Sequence, residues 1–236
     1  MILSTPLFVL RRQGRLRARE QRIPLHKALD EIAREQGFSS WSLLMAKRSS
    51  PVPGAVLNAK LNPGDFVLVG ARPGQGKTLL CLEMAVAAMQ AGNRSVFFSL
   101  EFNQQDMWAS FAAIGEQPGS FSDRFTFDGS DDLSADYITS QLADAASGTF
   151  VVVDYLQVLD QKRDNPPLSE QIQTLRNFAS KRNLVFVFIS QIDRGYDLRS
   201  TSLPTRNDVR LPNPLDLANF NKTCFLHEGK ALLTSV

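Results

Sequence analysis

An open α/β sheet, mainly parallel and covered by helices on both faces, is the fold class this sequence predicts, and three observations predict it. Residues 71–78, Ala-Arg-Pro-Gly-Gln-Gly-Lys-Thr, form a glycine loop between an apolar run, Phe66-Val67-Leu68-Val69, and an apolar helical stretch from Leu79 to Ala91. Further along, apolar runs of strand length alternate with segments of helical period. Several of those runs end on a polar side chain that can do chemistry, namely Glu101, Asp154 and Gln191. In sheets of this kind the ligand lies beyond the carboxyl ends of the strands.

The glycine loop has the composition of a phosphate cradle. Strand, glycine loop, then helix is the order in which this motif carries meaning. Gly74 and Gly76 let backbone N–H groups close round a triphosphate, and the first turn of the following helix aims its unpaired N–H groups and its dipole at the same charge. Lys77 is placed to reach the β- and γ-phosphates, and Thr78 to put its hydroxyl on Mg²⁺. The eight-residue pattern ordinarily begins with Gly; here Ala71 holds that place and Gly70 precedes it. Alanine fits there if its φ is negative. The expected phosphate site is therefore Ala71, Arg72, Pro73, Gly74, Gln75, Gly76, Lys77 and Thr78.

Taken in order, the chain first offers a helix from Pro24, where Leu25, Ala28, Leu29, Ile32 and Ala33 share one stripe, Pro24 suits a first turn and Gly37 a stop. Ser39 to Lys47 reads as a second short helix with Trp41, Leu44 and Met45 on its apolar side. This helical hairpin is too small to fold alone, so it is expected against the main domain or another subunit. Ser49-Ser50-Pro51-Val52-Pro53-Gly54 reads as a linker, which sets a boundary near residue 50 between a basic helical segment, 1–50, and the main domain, 51–236.

Ser95 to Leu100, ahead of Glu101, is apolar without alternation, as a parallel strand covered on both faces should be. Residues 104–114 read as a helix, 124–127 as a short strand, 135–145 as a helix, 149–154 as a strand, 168–181 as a helix and 183–190 as a strand. At the end, 223–226 and 231–235 read as two strands joined by His227-Glu228-Gly229-Lys230.

The strand ends supply candidate chemistry. Asp154 follows Phe150-Val151-Val152-Val153, and an acid buried there without a partner is costly; it is expected to face Mg²⁺ together with Thr78. Glu101 is placed to take a proton from, or orient, the water that attacks a γ-phosphate. Gln191 can donate its amide hydrogens to that phosphate and so report its presence. One polar residue closing a strand is a common thing; three in a chain with a phosphate loop point to function.

A chain of 236 residues has room for one full α/β domain and a small appendage. Residues 1–60 carry 11 of the 26 Lys/Arg but 4 of the 24 Asp/Glu, about +7, which leaves about −5 for the remainder. A basic end of this kind suits nucleic acid or an acidic partner, or is simply a solvated helical face. Cys81 and Cys224, with two histidines, make neither a disulfide framework nor a metal cluster, and Cys81 reads as a small core residue. No run is long enough to cross a bilayer. The start places its apolar residues before Arg11 and Arg12, the reverse of a secretory signal. Residues 1–19 lack acids, which suits a transit peptide as well, but a cytoplasmic protein is the expectation.

Four strings together, residues 71–78, Phe98-Ser99-Leu100-Glu101, Val153-Asp154-Tyr155-Leu156-Gln157 and Ile189-Ser190-Gln191, resemble the successive motifs of the DnaB-like, replicative-helicase branch of the RecA-type ATPases. The resemblance covers about residues 55–195. It implies a RecA-like core over 51–236, ATP with Mg²⁺, Glu101 as catalytic carboxylate, a homo-oligomer, and single-stranded DNA met by loops 160–169 and 192–210. Those loops hold Lys162, Arg163, Arg194, Arg199, Arg206 and Arg210, which suit phosphate contacts or a solvated surface equally. Tyr155 and Tyr196 stand apart and make no stacking ladder.

Three departures from the family are visible. A large amino-terminal domain is expected, and about 50 basic, helical residues stand there. An arginine finger is expected from a hairpin near the carboxyl end, but Lys230 is the cation in that tip, and a point charge cannot copy a bidentate guanidinium. Leu211-Pro212-Asn213-Pro214-Leu215-Asp216 stands where a regular acidic segment is expected, and its prolines break a helix. ATP hydrolysis is thus expected more firmly than processive unwinding, and slow turnover without a supplied finger is expected. A switch or assembly module that binds ATP and rarely hydrolyses it is the alternative. A small-molecule kinase shares the phosphate loop but lacks an arginine-rich lid.

Overall fold

Runs such as Phe66-Val67-Leu68-Val69 and Phe150-Val151-Val152-Val153 are buried at every position, because helices cover both sides of the sheet they form. The computed structural model describes residues 7–41, 44, 53–160, 164–193, 196, 203–211, 213–227 and 229–235. Its strands are β1 (Phe66–Ala71), β2 (Ser95–Ser99), β3 (Phe125–Asp128), β4 (Phe150–Asp154), β5 (Val185–Gln191), β6 (Lys222–His227) and β7 (Lys230–Ser235). They form one sheet in the order β3-β2-β4-β5-β1-β6-β7, parallel throughout except for the antiparallel pair β6–β7. The predicted α/β class and its mainly parallel sheet are what the chain adopts.

Side chains alternate across each strand, and they sort into two cores. On one face Val67, Val69, Phe97, Val152 and Val187 meet Leu80, Met84 and Met89 of α4 (Lys77–Gln90) and Met107 and Phe111 of α5 (Gln104–Ala113). On the other, Phe66, Leu68, Phe98, Val151, Val153, Phe186 and Phe188 meet Ile138 of α6 (Ala135–Gln141) and Ile172 and Leu175 of α7 (Leu168–Arg182). Cys81 and Cys224 are both buried in the first core, as read for Cys81, and burial pushes the Cys224 thiol up to about 12.

Local chemistry sets the helix ends. Asn103 accepts from the Asp106 N–H at 3.0 Å while Asp106 accepts from the Asn103 N–H at 3.3 Å, a reciprocal cap that starts α5. The helix predicted over 135–145 ends at Gln141 instead. Residues 142–145 tighten into i→i+3 turns, and the Arg182 guanidinium donates to the Ala143 and Ala145 carbonyls, satisfying them without a further helical turn. Asn183, left-handed at φ 54°, stops α7, so β5 begins at Val185, two residues later than read.

The amino-terminal region departs most from expectation. The helix read from Pro24 is α2 (Leu25–Glu35), and Trp41 and Leu44 of the second short helix are helical, but a further helix that was not read, α1 (Leu7–Glu20), pairs with α2 and is tied to it by Arg17 Nη1 donating to Glu35 Oε1 at 2.6 Å. Leu10, Ile32, Ala33 and Leu44 form a small core there, with Phe38 and Trp41 packed on it. Met45 and residues 49–52 of the expected linker lie outside the described residues. Pro53 and Gly54 are helical, opening α3 (Pro53–Asn58). Gly54 is needed because a Cβ there would stand 2.3 Å from Glu83 Cβ and 2.7 Å from the Met84 nitrogen, so α3 lies directly on α4.

At the amino edge of the sheet, Asp65 anchors β1 to β6. Its Oδ2 pairs with Lys222 Nζ at 2.7 Å and accepts from the Asn62 N–H at 2.7 Å, while Oδ1 accepts from Asn221 Nδ2 at 2.7 Å. Burial pushes this carboxyl up, but the hydrogen bonds from Lys222, Asn62 and Asn221 outweigh it and hold the group below the usual carboxylate range.

Candidate nucleotide site at the carboxyl edge of the sheet

Because β1, β2, β4 and β5 run parallel, their carboxyl ends share one edge. That brings residues 71–78, Glu101, Asp154 and Gln191 to the same side of the molecule. Ala71 closes β1 in extended backbone, so a methyl group in place of the usual glycine hydrogen costs nothing there. Gly74 and Gly76 take φ of 79° and 81°, the left-handed region in which a side chain is strained, and Gly76 caps α4. Thr78, in the first turn, donates from Oγ1 to Asp154 Oδ2 at 3.0 Å.

Asp154 is fully buried, and its second oxygen, Oδ1, has no hydrogen-bond partner. Burial, and then the neighbouring charge of Glu101, push its carboxyl up to about 6, while Lys77 and the Thr78 hydroxyl pull the other way. A buried carboxylate oxygen without a donor is stable only if something cationic or protic meets it. Asp154 and Thr78 offer hard oxygen donors, which suit Mg²⁺. Among the described residues no group of three or more His, Cys, Asp or Glu side chains makes a metal cage.

Glu101 lies two residues past β2 with its side chain exposed, and its N–H donates to Ser99 Oγ at 3.1 Å. Gln191 ends β5 beside Ala71, its side chain half-buried and its carbonyl accepting from the Arg210 N–H at 2.8 Å. Of the basic loop residues, Lys162, Arg163, Arg194 and Arg199 lie outside the described residues. Arg210 is exposed, whereas Arg206 donates from Nη2 to the Phe220 carbonyl at 3.1 Å and so braces its own segment. Tyr155 packs against the core after a cis Asp154–Tyr155 peptide, and Tyr196 lies edge-on to His227 with ring centroids 5.6 Å apart.

Sequence reasoning missed the ties that join these strand ends. Arg72 Nη1 donates to the Asp193 carbonyl at 3.0 Å, and the Ile192 N–H donates to the Ala71 carbonyl at 3.1 Å, so the phosphate loop holds the segment that follows Gln191. Gln157 Nε2 donates to Ser190 Oγ at 3.1 Å and to the Arg210 carbonyl at 2.6 Å, joining the segment after β4 to the far end of the same loop. Both residues stand within the quoted motifs, but their partners are 121 and 53 positions away, and nothing local points to them.

The family described as DnaB-like helicase C terminal domain matches residues 57–117. A replicative DNA helicase DnaB of Mycoplasma genitalium is 27% identical over 190 residues, which cover 65% of this chain and 40% of that protein. In sequence the chain is similar to the DnaB-like helicases, at low identity. Among solved structures, this chain superposes on an ATPase domain with a TM-score of 0.60 at 17% identity, covering 82% of this chain and 92% of that one. A DnaB-like replicative helicase, studied with its interactions with primase, gives a TM-score of 0.61 at 15% identity, covering 97% of this chain and 72% of that one. These likenesses establish the RecA-like fold. The chain spans about half the length, or less, of the curated relatives it matches.

Proposed function

We propose that this chain binds ATP with Mg²⁺ and hydrolyses it, as the RecA-like ATPase unit, residues 51–236, of a DnaB-like enzyme of helicase or DNA-dependent type. The observation that carries the reading is the buried Asp154 carboxylate, bonded to Thr78 directly after the phosphate loop and holding one oxygen without a donor. Residues 71–78 and Lys77 bind the phosphates, and Thr78 with Asp154 holds the ion. Mg²⁺, when bound, offsets charge on the β- and γ-phosphate oxygens. Glu101 orients a water and accepts its proton as the water oxygen bonds to γ-phosphorus and the bond to the β,γ-bridging oxygen breaks, leaving ADP and phosphate. Lys77 and the loop N–H groups stabilise the charge that develops, and Gln191 bonds the γ-phosphate.

Single-stranded DNA at loops 160–169 and 192–210, a homo-oligomer and a cytoplasmic setting extend the reading, supported by similarity to replicative helicases. No described helix is long and apolar enough to cross a membrane. The test is phosphate release from Mg²⁺–ATP, with and without single-stranded DNA, for wild type, Lys77→Ala and Glu101→Gln. Release that DNA stimulates and both substitutions abolish is expected. Tight nucleotide binding with equal, negligible release by wild type and Glu101→Gln would leave an ATP-dependent switch instead.

A further inference from the structure

The hairpin of α1 and α2 sorts its charges. The acids of α2 are used along the seam: Glu35 and Glu31 approach Arg17 Nη1 at 2.6 Å and 3.8 Å, and Asp30 Oδ1 accepts from the Trp41 N–H at 2.8 Å, while exposed Glu20 ends α1. The cations on the outer side of α1 are left over. Arg12, Arg15 and Arg19 are exposed and share one face of the helix, and exposed Arg22 follows in the next turn. None of these four is paired with a carboxylate among the described residues. From Arg12 to Arg19 the helix rises roughly 10 Å, a length over which duplex DNA carries about six charges.

We infer that this arginine face of α1 is a second nucleic-acid surface, which grips the phosphate backbone without reading sequence. A guanidinium fork matches phosphate oxygens two at a time. A protein partner would want an apolar anchor at the centre of its interface, and a membrane helix an exposed apolar stripe. Among the residues whose side chains are described, this face shows only Leu16, 47% exposed, while Leu10 is buried inside the hairpin. Spread charge without a carboxylate partner gains affinity through counterion release, the mode that suits a polyanion. The inference takes nucleic acid as the polymer from the function proposed above and is independent of hydrolysis.

The test is fluorescence anisotropy of labelled single-stranded and duplex oligonucleotides with the full chain across a salt series. An Arg12→Gln/Arg15→Gln/Arg19→Gln variant is set beside Lys60→Gln/Arg94→Gln/Lys181→Gln, which removes the same charge from exposed positions elsewhere. The α1 variant should bind about 10- to 100-fold more weakly, with a salt slope flatter by about two on single strands, near 0.7 for each lost contact. The control should change by no more than about threefold, and DNA-free phosphate release should be the same in all three. Equal losses in both variants, or no loss in the α1 variant, overturn the inference, as does wild-type binding to phosphatidylserine vesicles but not to oligonucleotides. If the binding behaves as expected while wild type releases no phosphate, the surface stands and the hydrolytic reading falls.

Discussion

Asp65 and Asp154 are buried carboxylates at opposite edges of the same sheet, and they are treated in opposite ways. Asp65 meets an ammonium, a backbone N–H and an amide, and its carboxyl is held below the usual range. Asp154 meets one hydroxyl, keeps an oxygen unpartnered and is pushed up to about 6. A fold that needs a buried charge satisfies it. Leaving one unsatisfied costs stability, and at the carboxyl edge beside a phosphate loop that cost is consistent with a site that waits for a ligand.

The contrast can be broken first at Asp65. Asp65→Ala leaves Lys222 buried and uncompensated and should cost about 3–5 kcal/mol in urea unfolding, while release per folded molecule is unchanged. Because the folded carboxyl is lowered, its stabilising effect is present above the unfolded value, near 4, and fades as pH falls through the folded one. The variant should therefore lack that part of the acid transition. Asp154→Asn should do the reverse. A folded value of about 6 favours the protonated form, so wild type loses stability as pH rises from about 4 to about 6 and the neutral amide does not. Without metal or nucleotide the variant should be more stable at pH 7 by up to about 3 kcal/mol, visible as a higher Tm, and the gap should close below about pH 4.

Smaller effects sharpen the same division between frame and site. Gly54→Ala pushes α3 off α4 far from the nucleotide edge; an overpacking cost of about 1–3 kcal/mol should appear in thermal unfolding with KM for ATP unchanged. Arg72→Lys keeps the charge but loses the planar fork that reaches Asp193. It should lower stimulation by DNA about two- to fivefold while leaving nucleotide affinity within a factor of two, measured by titration with a fluorescent ATP analogue.

The sheet was legible because strands buried on both faces are apolar at every position, and the strand-end residues were legible because parallel topology sends each one to the same edge. The glycine loop at residues 71–78 stood out by its local sequence, between an apolar strand and an apolar helix. The helix α1 did not: Arg11, Arg12, Arg15, Arg17 and Arg19 interrupt its apolar period, and pairing with α2 rather than propensity supports it. Pro53 and Gly54 read as a linker for the same reason, since close packing on α4 overrides local preference. The early stop of α6 depends on Arg182, and the ties through Arg72 and Gln157 depend on partners distant in the chain. Each became visible only once the fold had placed the partner.

The most direct test of the contrast is the change in Tm on adding Mg²⁺ with a non-hydrolysable ATP analogue to wild type and to Asp154→Asn. Wild type should rise by several degrees, because binding relieves an unsatisfied carboxylate, and the variant, already relieved, should rise little or not at all. Equal rises in both would show that Asp154 does not meet the magnesium–nucleotide complex and would contradict the account.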